Sequence, residues 1–286
     1  MIDDCSTDRS AEIVRSYDDP RIKIVRNLKN FGIGYNINLG IEISRGEYIY
    51  LMDDDDAILP QTLETFINAA EESRADVIHM NAYNYVGEDF KIPSVARVQR
   101  FSQWNNQPRF LEDDLVERLQ KNFLEYGVHM TPWIKIQRRD FLFEHQIYYP
   151  TMPTSNDVLF NFAELCFAKK IQMIDGCCYL YRMSTNSVTR SSLDKKLNQG
   201  IKILSPALKY MREIFSKLNL TRDFQIKLET KFISDTLSYS LLKSYRGAMA
   251  MDQIDDLLTE LLFQPEQIDP NVTRALIHTL AMKMKG

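Results

Sequence analysis

The run Tyr48 to Met52 (YIYLM) carries no charge and ends in four consecutive aspartates, Asp53, Asp54, Asp55 and Asp56. A strand that is apolar on both faces must be covered on both faces, which is the habit of sheets joined by helical crossovers rather than hairpins. The flanking sequence supplies such helices. Tyr35 to Ser44 has helix-compatible spacing, with Gly46 as a stop. Pro60 opens a helix to about Glu72 with Leu63, Phe66, Ile67 and Ala70 on one face. Shorter patterns predict a helix over Ser10 to Ser16, a strand over Arg21 to Val25 and a strand over Asp76 to Val86. This alternation predicts an α/β sheet with ligands at the carboxyl ends of its strands. The aspartates stand at one such end.

Beyond Ser192 the pattern changes to helices. Ile201, Leu204, Leu208, Met211, Phe215 and Leu218 recur at three- and four-residue steps. Further helices are expected over Thr221 to Tyr245 and Asp252 to Phe263, and a last one opened by Asp269-Pro270. The expected division is an α/β domain over 1–191 and a helical region over 192–286. Apolar stripes of this kind serve as core, as a face for a partner helix or a second copy, or as a membrane-surface contact. A net charge of −4 gives no overall attraction to nucleic acid. Cys5, Cys166, Cys177 and Cys178 form no CxxC pair, and no run of 18 apolar residues exists. The expectation is a soluble cytoplasmic protein with reduced thiols, with peripheral association at the inner face of a membrane as an option.

Three acidic sites carry the candidate chemistry. Asp53 to Asp56 suit a hard divalent cation, which takes oxygen ligands and often only one or two carboxylates. A solvated turn explains the same run. Asp3 and Asp4 open the chain, with Ser6 and Asp8 following as helix-cap types. Asn156-Asp157 precedes the helical pattern Val158, Leu159, Phe162, Leu165, where Asp157 alone would be a charge favourable to the helix dipole.

Taken together, these blocks resemble glycosyltransferase family 2, whose members are inverting enzymes of the GT-A fold. "IDDCSTDRSAEIV" stands for "VDDGSTDxSxEI", and "NLKNFGIGYNINLGIEISRGEYIYLMDDDDAILP" for "N-x-G...N-x-G-I...A-R-G-E-Y-I...L-D-x-D-D...P". "PWIKIQRRDFLFEHQIYYP" resembles "W-N-K-L-Y-R-R-x-x-L...I-x-F-P". "NDVLF" with "AKKIQMIDGCCYLYRMSTNSVT" resembles "E-D-x-x-F...A-K-K-I...Y-Y-R...S-x-T". The resemblance covers Ile2 to about Thr189.

The resemblance implies a GT-A sheet, Rossmann-like and mostly parallel, flanked by helices. It implies transfer of a sugar from a nucleotide-diphosphate donor, with uridine the expected base, to a glycan or lipid-linked acceptor in surface polysaccharide or lipopolysaccharide synthesis. Asp53 and Asp55 would hold Mn²⁺ or Mg²⁺ as the D-x-D pair, and Asp3, Asp4, Asn30, Asp53 and Arg182 would form the donor side. Ser187 would accompany Arg182 at the diphosphate, Trp133 and Lys135 would lie on the acceptor side, with core packing an equal reading of Trp133, and Asp157 would be the catalytic base. Three positions depart from the pattern: Asn156 replaces a Glu, Ile37 replaces an Arg, and only Met1 and Ile2 precede Asp3. The last implies a family domain lacking roughly thirty residues, including a first strand of about five. Two other classes stay open: a non-catalytic remnant that binds a sugar or a partner, and a nucleotidyltransferase.

Overall fold

The computed structural model describes residues 1–85, 98–99, 109–152, 155–182 and 193–242. The chain begins with β1 (Ile2–Asp3), α1 (Ser10–Arg15) and β2 (Val25–Arg26), and continues through α2 (Ile33–Ile43) to β3 (Tyr48–Tyr50). Next come β4 (Ala57–Ile58), α3 (Thr62–Ser73), β5 (Val77–Tyr85), β6 (Val98–Gln99), β7 (Arg109–Phe110) and α4 (Leu115–Leu119), which runs into a π-helical turn (Gln120–Leu124). The remainder is β8 (Lys135–Arg138), α5 (Arg139–Glu144), α6 (Asn156–Phe167), β9 (Ile171–Arg182), α7 (Leu193–Phe215) and α8 (Arg222–Leu242). The helices expected around Asp252 and Asp269, the boundary at 191/192 and Ser187 lie outside the described residues.

The main sheet has the order β3-β8-β5-β9-β4, with β6 added to β5 and β7 to β9. Its backbone is the long parallel pairing of β5 with β9, from Val77 beside Ile171 to Tyr85 beside Arg182. β8 joins both β3 and β5 in the antiparallel sense, and β4 is antiparallel to β9, so the sheet is mixed. β1 and β2 pair in parallel as a separate two-stranded sheet.

Alternation along β5 splits the core. Val77 joins the larger hydrophobic cluster with α6 and α7, while its neighbour Ile78 joins a smaller one with Phe66 and Ala70 of α3. The apolar stripe of α7 is spent in the larger cluster: Ile203, Leu204, Leu208, Met211, Ile214 and Phe215 pack with Leu159, Phe162 and Leu165 of α6. Each such side chain is worth about 1.5–3 kcal/mol when buried. α7 therefore belongs to the same core as the sheet. Among the described residues no helix is long and apolar enough to cross a membrane.

One buried carboxylate pins the end of the sheet remote from the aspartate run. Asp76 Oδ1 accepts from Arg138 Nη2 at 2.7 Å, and Oδ2 accepts from the backbone N–H of Lys169 at 2.7 Å. Three chain segments, the start of β5, the end of β8 and the turn before β9, meet at this side chain.

Candidate active site

The four aspartates do different work. Asp54 and Asp55 are exposed, Asp53 is half-buried and Asp56 is buried. Asp56 accepts a hydrogen bond at Oδ1 from the backbone N–H of Arg182, 2.7 Å away. The hydroxyl of Tyr179, three residues earlier on β9, accepts from the backbone N–H of Asp53 at 3.1 Å and also stabilises the charge of Asp56. Tyr179 is held by stacking on Trp133, with ring centroids 4.5 Å apart, and Trp133 stacks in turn on Tyr181 at 5.4 Å. Asp56 is therefore an internal anchor, and it fixes where Asp53 and Asp55 stand.

Burial pushes the Asp53 carboxyl up to about 7, helped by the negative charges of Asp157, Asp56, Asp55 and Asp54, in that order. The contribution of Asp157 is informative, because it shows the acidic loop and the start of α6 to be within electrostatic reach of each other.

Asp157 lies in the first turn of α6, where a negative charge meets the positive end of the helix dipole. Ser155 before it adopts a left-handed backbone, φ 61°. The segment leading to this turn is strapped to α2. Asn38 Nδ2 donates to the Tyr149 carbonyl at 2.8 Å while its Oδ1 accepts from the Tyr149 N–H at 2.7 Å, and a Cβ on Gly34 would stand 2.9 Å from the Pro150 carbonyl oxygen. Any side chain at position 34 would push the strap away. Burial raises the Asp157 carboxyl to about 6, and the charge of Lys135 opposes that rise.

Lys135 and Trp133, expected on the acceptor side, are both interior at 1% and 6% exposure. The Lys135 ammonium donates to Glu164 Oε2 at 2.6 Å and to Asn161 Oδ1. The half-buried Tyr181 is the more accessible ring of the Trp133 stack. Behind Lys135, burial holds His79 and His129 well below the ordinary imidazole range, the latter at about 4, so both are neutral.

The residues expected on the donor side divide into two groups. Arg182 stands beside the acidic loop, through its own backbone bond to Asp56. Asp3 and Asp4 belong to the two-stranded lobe, where their carboxylates serve the fold. Asp3 accepts from the Ser6 N–H at 2.8 Å and pairs with Arg26 at 3.2 Å. Asp4 accepts from the N–H groups of Phe31 and Gly32 at 2.9 and 2.8 Å, and from the side chain of Asn27 at 2.8 Å. Asn30 is exposed on the loop that these bonds shape, and Asn27 is the buried asparagine, bonded also to Asn36 at 2.6 Å.

A divalent cation fits the acidic loop. Its donors are hard oxygens, and the negative charges that add to burial in raising Asp53 are an excess that a cation would relieve. Among the described residues no three His, Cys, Asp or Glu side chains gather as a complete metal cage. The chain would therefore contribute one or two carboxylates, Asp53 and Asp55, and leave other positions to phosphate oxygens and water, as Mg²⁺ and Mn²⁺ sites commonly do.

The sheet thus carries an acidic loop at a strand end, within electrostatic reach of the carboxylate in the first turn of α6. The chain belongs to glycosyltransferase family 2: the model described as "Glycosyl transferase family 2" matches residues 1–143. Among curated proteins it is similar to glycosyltransferase GlyG of Streptococcus pneumoniae, 24% identical over 264 residues, covering 84% of this chain and 81% of GlyG. It is also similar to the succinoglycan biosynthesis protein ExoO of Rhizobium meliloti, 26% identical, covering 66% of this chain but only 53% of ExoO. Among solved structures, S. aureus TarS 1–349 superposes with a TM-score of 0.66 at 18% identity, covering 96% of this chain and 70% of that one. TarS 1–349 in complex with UDP-GlcNAc superposes at 0.65, also at 18% identity, covering 90% and 68%. These likenesses show a shared fold, the GT-A arrangement expected from the sequence.

Proposed function

We propose that this family 2 glycosyltransferase is an inverting, metal-dependent enzyme that moves a sugar from a nucleotide-diphosphate donor to a glycan or lipid-linked acceptor. The observation that supports this is the electrostatic coupling of Asp53 to Asp157, which suits the diphosphate end and the base end of a single displacement. Asp157, half-buried and raised to about 6, is ionised at neutral pH yet basic enough to take a proton. As the acceptor oxygen bonds to the anomeric carbon, the bond from that carbon to the diphosphate oxygen breaks, and the acceptor's proton passes to Asp157. Attack from the face opposite the leaving group inverts the anomeric centre.

Asp53 and Asp55 would hold the cation, whose chemistry when bound is neutralisation of the departing diphosphate. Asp56 and Tyr179 keep those carboxylates in place, and Arg182 adds positive charge beside the loop. A uridine donor is supported by the fold shared with TarS, whose structure holds UDP-GlcNAc. A role in polysaccharide synthesis is supported by the similarity to ExoO, a succinoglycan biosynthesis protein.

The test is a panel of UDP- and GDP-sugars assayed for nucleotide release, with Mn²⁺ and with chelator. Release from one UDP-sugar that requires Mn²⁺ supports the proposal. Equal release with chelator contradicts the metal assignment, and a preference for GDP-sugars contradicts the uridine assignment.

A further inference from the structure

Asp157 has a buried support that substrate cannot reach. Along α6, Asp157, Asn161 and Glu164 recur at steps of four and three, a polar strip on a helix whose other residues are largely apolar and buried. β8 brings Lys135 against this strip. Its ammonium donates to Glu164 Oε2 at 2.6 Å and to Asn161 Oδ1, and the Asn161 amide donates to the Asp157 carbonyl oxygen at 2.6 Å. A relay of three bonds thus runs from Glu164 through Lys135 and Asn161 to the backbone of Asp157.

Lys135 and Glu164 are each 1% exposed. A buried ion pair contributes little net stability compared with apolar residues of the same volume, so stability alone is a weak reason for this arrangement. Position supplies a better one. Charged and titratable groups face Asp157 and Lys135 from each packed element: Asp53 after β3, His79 on β5, His129 before β8 and Glu164 on α6 itself. The two histidines are neutral and the other groups are acidic, so among these groups Lys135 supplies the positive charge acting on Asp157.

We propose that Lys135 is the positioning residue of the base: clamped by Glu164 and bonded to Asn161, it fixes the first turn of α6 and with it the place of Asp157. This rests on Asp157 being the base, and the experiment separates the two ideas. Lys135→Met combined with Glu164→Gln removes both buried charges together, and Asn161→Ala cuts the relay while leaving the ion pair in place. In sugar transfer, each is expected to lower kcat about 10–100-fold, by analogy with the loss of an outer partner of a metal ligand. Donor KM and Mn²⁺-dependent UDP binding should stay at wild-type levels, which a general loss of structure would not allow. Lys135→Arg, which keeps the charge and the donors, should recover most of kcat. Wild-type kcat in Asn161→Ala, or in a folded double variant, overturns the positioning role while an inactive Asp157→Asn control leaves the base in place. An active Asp157→Asn control overturns the base assignment and the Lys135 proposal with it.

Discussion

The carboxylates of Asp53 and Asp157 repel each other across the end of the sheet, although one follows β3 and the other opens α6. That relationship couples two acidic motifs far apart in the chain.

Turnover should have an acid limb near pH 6. Asp157 must be ionised to accept a proton, and its carboxyl is raised to about 6 by burial. With saturating donor and acceptor, kcat should fall about tenfold per pH unit below that value. A kcat that is flat from pH 7 down to 4.5 would contradict the assignment.

Stability without metal should decline as pH rises between about 4 and 7. Asp53 in the folded chain binds its proton up to about 7, against an ordinary value of 3.8. Its stabilising contribution is therefore complete below the unfolded value and is lost as pH climbs through the folded one. Asp157 and Asp56 are also raised and act in the same direction, whereas Asp3, Asp4, Asp8 and Asp19 are lowered and matter only at more acid pH. Melting curves should show Mn²⁺ raising Tm more at pH 8 than at pH 5. Asp53→Asn should flatten the pH dependence and remove most of the Mn²⁺ effect.

Tyr179→Phe should loosen the acidic loop without unfolding the protein. It removes the acceptor for the Asp53 N–H and a group that stabilises the buried Asp56 charge, at a cost of about 1–3 kcal/mol. The ring and its stacking on Trp133 remain. Donor KM in the presence of Mn²⁺ is expected to rise severalfold, and an unchanged KM with unchanged Tm would show that the hydroxyl does not hold the loop.

Asp76→Ala should be a stability variant only. The side chain is buried and bonded to Arg138 and to the backbone of Lys169, so its loss leaves the Lys169 N–H without this acceptor and Arg138 with Glu144 at 3.9 Å, at a cost of about 1–3 kcal/mol. Urea titration should show the lower midpoint. The folded variant should retain wild-type kcat, since no site residue bonds to Asp76.

Much of this was legible in the sequence because it depends on local pattern. The continuous apolar run at Tyr48 marked the strand, Pro60 marked the approach to α3, and Asn156-Asp157 marked the start of α6, each within a few residues. What was not legible depends on partners distant in the chain. Lys135 reads as an open lysine near an aromatic, and only the packing of α6 on β8 shows it buried on Glu164. Likewise, nothing local in the sequence tells that Asp4 accepts from the N–H groups of Phe31 and Gly32, which lie beyond β2. Tyr179 gave no local signal, because its role comes from the pairing of β9 with β4 beside the acidic loop. The relay on α6 did leave a trace: polar residues at 157, 161 and 164 share one strip of an otherwise apolar helix.

The most direct test of the account is Asp157→Asn, measured for sugar transfer and for Mn²⁺-dependent UDP binding in the same preparation. The substitution keeps the size of the side chain and removes its capacity to take a proton. The account predicts a loss of kcat of about 10²–10⁴-fold with UDP affinity within a few-fold of wild type. Turnover close to wild type would contradict it.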